Sequence, residues 1–158
     1  MHAPRLTGLL LAVAGVLVVL GGFAATASSA LRPGVHAFEA RFQDAPCGPG
    51  EWCGTGTLRG FGAVKTHLAL GLLFRDPVNG CNRAAGVRTL TPASDAKSTL
   101  RLSVKGAVCA SHARGTFKVA SGSGVFAGAT GSGVIIGTES WTGHESLRFR
   151  GVITLAGK

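Results

Sequence analysis

Thr99-Leu100-Arg101-Leu102-Ser103-Val104-Lys105 alternates without a break. In an extended chain Leu100, Leu102 and Val104 fall on one side, and Thr99, Arg101, Ser103 and Lys105 on the other. Successive strand side chains point to opposite faces, so this stretch is a β-strand with one face in a core and the other in water. Immediately upstream, Pro92-Ala93-Ser94-Asp95-Ala96-Lys97 has turn composition. A hairpin centred near Asp95 sets Leu90 opposite Leu100 and, followed outward, Cys81 opposite Cys109.

The same alternation recurs along the chain. Phe38, Ala40 and Phe42 face one way, with Glu39 and Arg41 opposite; Val64, Leu68, Leu70, Leu72 and Phe74 oppose Lys65 and His67. Phe117 and Val119 oppose Thr116 and Lys118, and Leu147, Phe149, Ile153 and Leu155 oppose Arg148, Arg150 and Thr154. No long helical stripe competes with this period of two. Strands are expected over 35–43, 52–60, 63–75, 83–91, 98–108, 114–120, 125–136 and 146–155. Eight short antiparallel strands favour closure, because a barrel removes the exposed edges that an open sheet would keep. The expected fold is therefore an all-β, eight-stranded antiparallel barrel. Gly54, Gly56, Gly60, Gly71, Gly106, Gly115, Gly137 and Gly151 are expected within strands, supplying the bends and bulges of a small barrel.

Residues 1–30 differ from the rest. His2 and Arg5 precede an apolar run from Leu9 to Leu20, and small residues follow, the layout of a secretory signal peptide. Cleavage fits after Ala27 or after Ala30. The expected organisation is a signal peptide over 1–30 and one barrel domain over 31–158, secreted and without a stable membrane anchor after cleavage. In an exported domain the four cysteines are expected to pair. The hairpin register gives Cys81 with Cys109. Cys47 and Cys53, separated by a Gly-Pro-Gly turn, then close a short loop. Zinc is disfavoured by the wide cysteine spacing and the scattered histidines, so no metal and no cofactor are expected.

Ser121-Gly122-Ser123-Gly124-Val125-Phe126-Ala127-Gly128-Ala129-Thr130-Gly131-Ser132-Gly133 is followed, after a polar stretch, by Phe149-Arg150-Gly151-Val152-Ile153. This pair of segments resembles the late part of the allene oxide cyclase and dirigent superfamily of eight-stranded barrels. It is also similar to small secreted barrel proteins of actinobacteria with no assigned function, which share the segment Arg88-Thr89-Leu90-Thr91. The resemblance implies the barrel fold and permits isomerisation or the steering of radical coupling. It falls on Gly and Phe positions, however, and carries over no catalytic residue. Gly50-Glu51-Trp52 matches the short Gly-x-Trp signature of lipocalins, another eight-stranded barrel family. The Gly-x-Gly of residues 122–124 lacks the following helix and lysine of a phosphate loop, and a hairpin with Phe126 buried is expected instead.

Candidate chemistry is sparse. His36, His67, His112 and His144 are isolated in sequence, and the acidic residues are dispersed. Alternation fills the expected lumen with Leu, Val, Phe and Ala, too apolar for an enzyme. An apolar small molecule entering the barrel mouth beside Trp52, Trp141 and His144 is the leading expectation for a ligand. With 16 Lys+Arg against 7 Asp+Glu the net charge is +9. Arg41, Lys65, Arg101, Lys105, Lys118, Arg148 and Arg150 are expected on outward faces, where they would suit an anionic cell-envelope polymer. The absence of Tyr and the scarcity of aromatics among these charges argue against specific nucleic-acid binding.

Overall fold

The structure is a computed structural model that describes residues 32–140 and 142–157; the expected signal peptide lies outside the described residues. Eight strands run in chain order: β1 (Gly34–Gly48), β2 (Glu51–Leu58), β3 (Gly62–Arg75), β4 (Asn82–Pro92), β5 (Thr99–Cys109), β6 (His112–Ser123), β7 (Thr130–Glu139) and β8 (Glu145–Leu155). Each pairs antiparallel with the next, and β8 returns to β1, so the sheet is a closed barrel. The hairpin register predicted from Asp95 is observed, with Leu90 opposite Leu100 and Asn82 opposite Val108. One residue further out, Cys81 and Cys109 are joined in a disulfide, and Cys47 is joined to Cys53.

Alternation decides the interior. Phe38, Ala40 and Phe42 of β1, Leu100 and Leu102 of β5, Phe117 of β6 and Phe149, Ile153 and Leu155 of β8 are all buried. Four of the phenylalanines form a ladder across the lumen. Ring centroids lie 4.9 Å apart for Phe38–Phe117, 5.4 Å for Phe117–Phe149 and 5.1 Å for the edge-on pair Phe42–Phe149. Such offset and T-shaped contacts add to the gain from area burial. Gly133 lets the ladder fit: a Cβ there would stand 2.6 Å from the Phe117 ring and 2.1 Å from the Arg150 carbonyl.

One end of the barrel is plugged. The seventh strand begins later than expected, at Thr130, because Gly124–Phe126 form a 3-10 turn instead. Gly124 (φ +58°) and Gly128 (φ +70°) bracket that turn in the left-handed region, which glycine enters without steric penalty. The turn drives Phe126 inward to complete burial, 4.6 Å from the ring of Phe61 in the β2–β3 turn. Ser98, also fully buried, ties the plug to the β4–β5 turn: its hydroxyl accepts the Val125 N–H at 2.9 Å and is hydrogen-bonded to Asp95.

Two sequence expectations need correction. Alternation in β3 does not continue to Phe74, because the pairing with β4 slips between Leu70 and Leu72. Past this bulge at Gly71, Leu72, Leu73 and Phe74 are 53%, 58% and 46% exposed, with Leu73 at the edge of the cavity. Among the eight glycines expected to bend strands, Gly71 alone occupies a register shift; Gly60 lies in the β2–β3 turn, and the others sit in regular pairing.

Candidate functional site

The opposite end of the barrel is open. Above the aromatic ladder, the inward positions of consecutive strands form one cross-strand row: Glu139 on β7 opposes Glu145 on β8, Glu145 opposes Asp44 on β1, Asp44 opposes Gly54 on β2, and Gly54 opposes Thr66 on β3. Gly54 is the gap that admits the Asp44 carboxylate, since a Cβ there would lie 2.4 Å from Asp44 Oδ1.

Arg88 of β4 reaches into this row from below. Its Nη1 donates to Asp44 Oδ2 at 2.5 Å and to Thr66 Oγ1 at 2.8 Å, and its Nη2 donates to Glu145 Oε2 at 3.3 Å. The guanidinium carbon sits 5.2 Å from the Phe42 ring centre and 5.4 Å from that of Phe149, within cation–π range. Arg88 thus rests on the ladder and forms the floor of the space above it. The lumen is not uniformly apolar, as the alternation of apolar residues implied; an ion cluster crosses it.

Burial raises the pKa of Glu145 most, Asp44 and Glu139 push it further, and Arg88 pulls it back, for a value of about 7. Burial also raises that of Glu139. A carboxyl that exchanges its proton near neutrality, inside a cavity, is a feature of functional sites as well as of structural networks.

The cavity above Arg88 has a volume of about 130 Å³. Leu68, Leu70, Val104, Val108, Ala113 and Ile135 make apolar walls, and Glu139 and Glu145 stand on one side. A second, more open recess of about 540 Å³, lined by Asp44, Glu139, His144 and Glu145, shares those two glutamates. Trp52 lines the cavity and donates its indole N–H to the Gly143 carbonyl at 3.0 Å, which links β2 to the β7–β8 connection. His144 borders the recess but is exposed, and its backbone N–H is held by Ser140 Oγ at 3.1 Å. Trp141 lies outside the described residues. Both disulfides belong to this open end. His67 stands near Cys47 and Cys53, but the two sulfurs are bonded to each other and offer no thiolate to a metal.

Arg88, Asp44, Glu139 and Glu145 were not among the residues picked from sequence. Counting by two finds three of them: Asp44 follows Phe42, Arg88 precedes Leu90 and Glu145 precedes Leu147, each on the face of its apolar neighbour. On the outer wall, Arg114, Ile136, Arg148 and Arg41 share one row across β6, β7, β8 and β1. Arg148 is hydrogen-bonded to Glu39, which also lies 3.9 Å from Arg41, so that row is partly neutralised.

Compared with known protein families and with curated proteins, the chain matches none. Among the described residues no helix is long and apolar enough to cross a membrane. The two disulfides point to an oxidising, extracellular environment.

Proposed function

We propose that this is a secreted binding protein that takes one small, largely apolar molecule through the open end of its barrel and holds it above Arg88. The observation that carries this reading is the contrast between the two ends. One is sealed by Phe61 and Phe126, and the other holds an apolar-walled cavity of about 130 Å³. A dry cavity of about 150 Å³ accepts a benzene-sized ligand. The expected membership of the allene oxide cyclase and dirigent-like barrels is a compatible proposal, supported by the strand number and the meander order.

Toluene titrated into a Trp141→Phe variant, with Trp52 fluorescence as reporter, tests the reading. Saturable uptake is expected, and Ala113→Phe, which fills the cavity from β6, is expected to abolish it while leaving the β-sheet circular dichroism unchanged. Equal uptake by a folded Ala113→Phe protein, or none by the parent, would sink the proposal. A second reading, isomerisation of the bound molecule, is favoured by Glu145 and Glu139 inside the cavity, where a proton could be delivered to a ligand or removed from it. Recovery of a structural isomer of an added ligand, resolved by chromatography, would separate it from simple binding.

A further inference from the structure

We infer that the natural ligand of the lumen carries a protonated amine beside its apolar body, and that Glu139 and Glu145 receive it. This rests on the binding reading above and names the chemistry of its ligand.

The chain is strongly basic, yet three of its seven acidic residues, Asp44, Glu139 and Glu145, fall on one inward row opposite a single guanidinium. Arg88 alone does not account for them. Asp44 and Thr66 make its short contacts, Glu145 stands further off at 3.3 Å, and Glu139 has no ion-pair partner among the described residues. A second observation lies in Asp44 itself. Its side chain is fully buried, lines the recess shared with Glu139 and Glu145, and leaves Oδ1 without a hydrogen-bond partner among the described residues.

Carboxylates only accept hydrogen bonds, so spare carboxylate oxygens call for a ligand that donates, and the surplus of negative charge favours a cationic one. An anionic ligand would meet Glu139 and Glu145 on its way to an arginine whose two Nη groups are already engaged and whose one spare donor, Nε, is buried. Among the described residues no other cation answers these carboxylates. Lys105 and Arg114 border the cavity, but they occupy outward strand positions and are exposed. His144 is exposed at the recess, Arg148 binds Glu39 on the outer wall, and Arg83 pairs with Asp76. The apolar walls and the Phe149 ring would take the body of the ligand, and the two glutamates its ammonium group.

Benzylamine, toluene and benzoate share a ring and differ in charge. Each is titrated into the oxidised Trp141→Phe protein at pH 8 and at pH 5.5, where the amine stays protonated throughout. At pH 8 benzylamine is expected to bind about tenfold more tightly than toluene, the worth of one charge-assisted hydrogen bond, with benzoate weakest. At pH 5.5 Glu145 takes up a proton, so the advantage shrinks while toluene is unchanged. Glu145→Gln and Glu139→Gln should each reduce the benzylamine advantage at pH 8 and spare toluene. Glu139 makes no contact with Arg88, so its variant keeps the test open if Glu145→Gln misfolds. Benzoate binding as tightly as benzylamine, or benzylamine matching toluene at both pH values, would overturn the inference and leave the binding reading intact. Failure of all three to bind would overturn both.

Discussion

Arg88 has 1% of its side chain exposed; its two Nη groups are met by Asp44, Thr66 and Glu145, its flat face lies against Phe42 and Phe149, and its Nε is left without a partner among the described residues. The neighbouring Glu145 gives this cluster a pH signature. Its pKa is raised from the ordinary 4.5 to about 7, so between those values the folded protein holds a proton that the unfolded chain has released. Stability therefore falls as pH rises through that window and levels off above it, by on the order of 2 to 3 kcal/mol. Glu145→Gln lacks the titration and should gain stability relative to the parent between pH 5 and pH 8. Thermal unfolding of both proteins at the two pH values checks this; a constant difference between them would refute the assignment. These residues were partly legible beforehand. The parity of Phe42, Leu90 and Leu147 extends to Asp44, Arg88 and Glu145, but a charged residue at the end of an apolar alternation reads as the point where the strand leaves the core. Only the closed sheet, which brings β1, β4 and β8 around one lumen, makes each the partner of the others.

At the scale of the element, alternation succeeds where pairing is regular and fails where it slips. β8 pairs without a register shift, and where β5 meets β6 the shift leaves the extra residue, Ala120, on β6, so the expected apolar faces of β5 and β8 are the observed ones. In β3 the segment past the bulge at Gly71 leaves the core, with Leu72, Leu73 and Phe74 all exposed, a departure that nothing in their own side chains announces. The glycine-rich segment before β7 was legible as a turn around a buried Phe126, yet its boundary was not. The 3-10 turn depends on Ser98, which is distant in sequence and reaches Val125 through its hydroxyl. Because that turn exists to seat one ring, Phe126→Ala should be costly. Loss of a fully buried phenylalanine is expected to destabilise the fold by about 3 to 5 kcal/mol, measured by urea denaturation. A loss below about 1 kcal/mol, the scale of a surface substitution, would show that the plug is not part of the cooperative core.

For the whole molecule, the two ends are secured by different means: aromatic packing seals one, and both disulfides tie the strands at the other. Cys81–Cys109 spans 28 residues and Cys47–Cys53 spans 6. The longer loop restricts the unfolded chain more, so removing it by paired Cys→Ser changes should cost about 3 to 4 kcal/mol, against about 2 kcal/mol for the shorter. Equal losses in denaturant titrations would contradict that ordering. Inside the barrel, the boundary between solid and usable space is set by where Arg88 stands along β4. From Arg88 to the strand's open end at Asn82 the chain climbs roughly 20 Å along its own axis, and about 15 Å along the barrel once strand tilt is allowed for. The arginine therefore acts as a ruler. A barrel with the same wall and its cation shifted two residues toward the plug would be a deeper vessel, and one shifted two residues the other way would lose about a third of its depth.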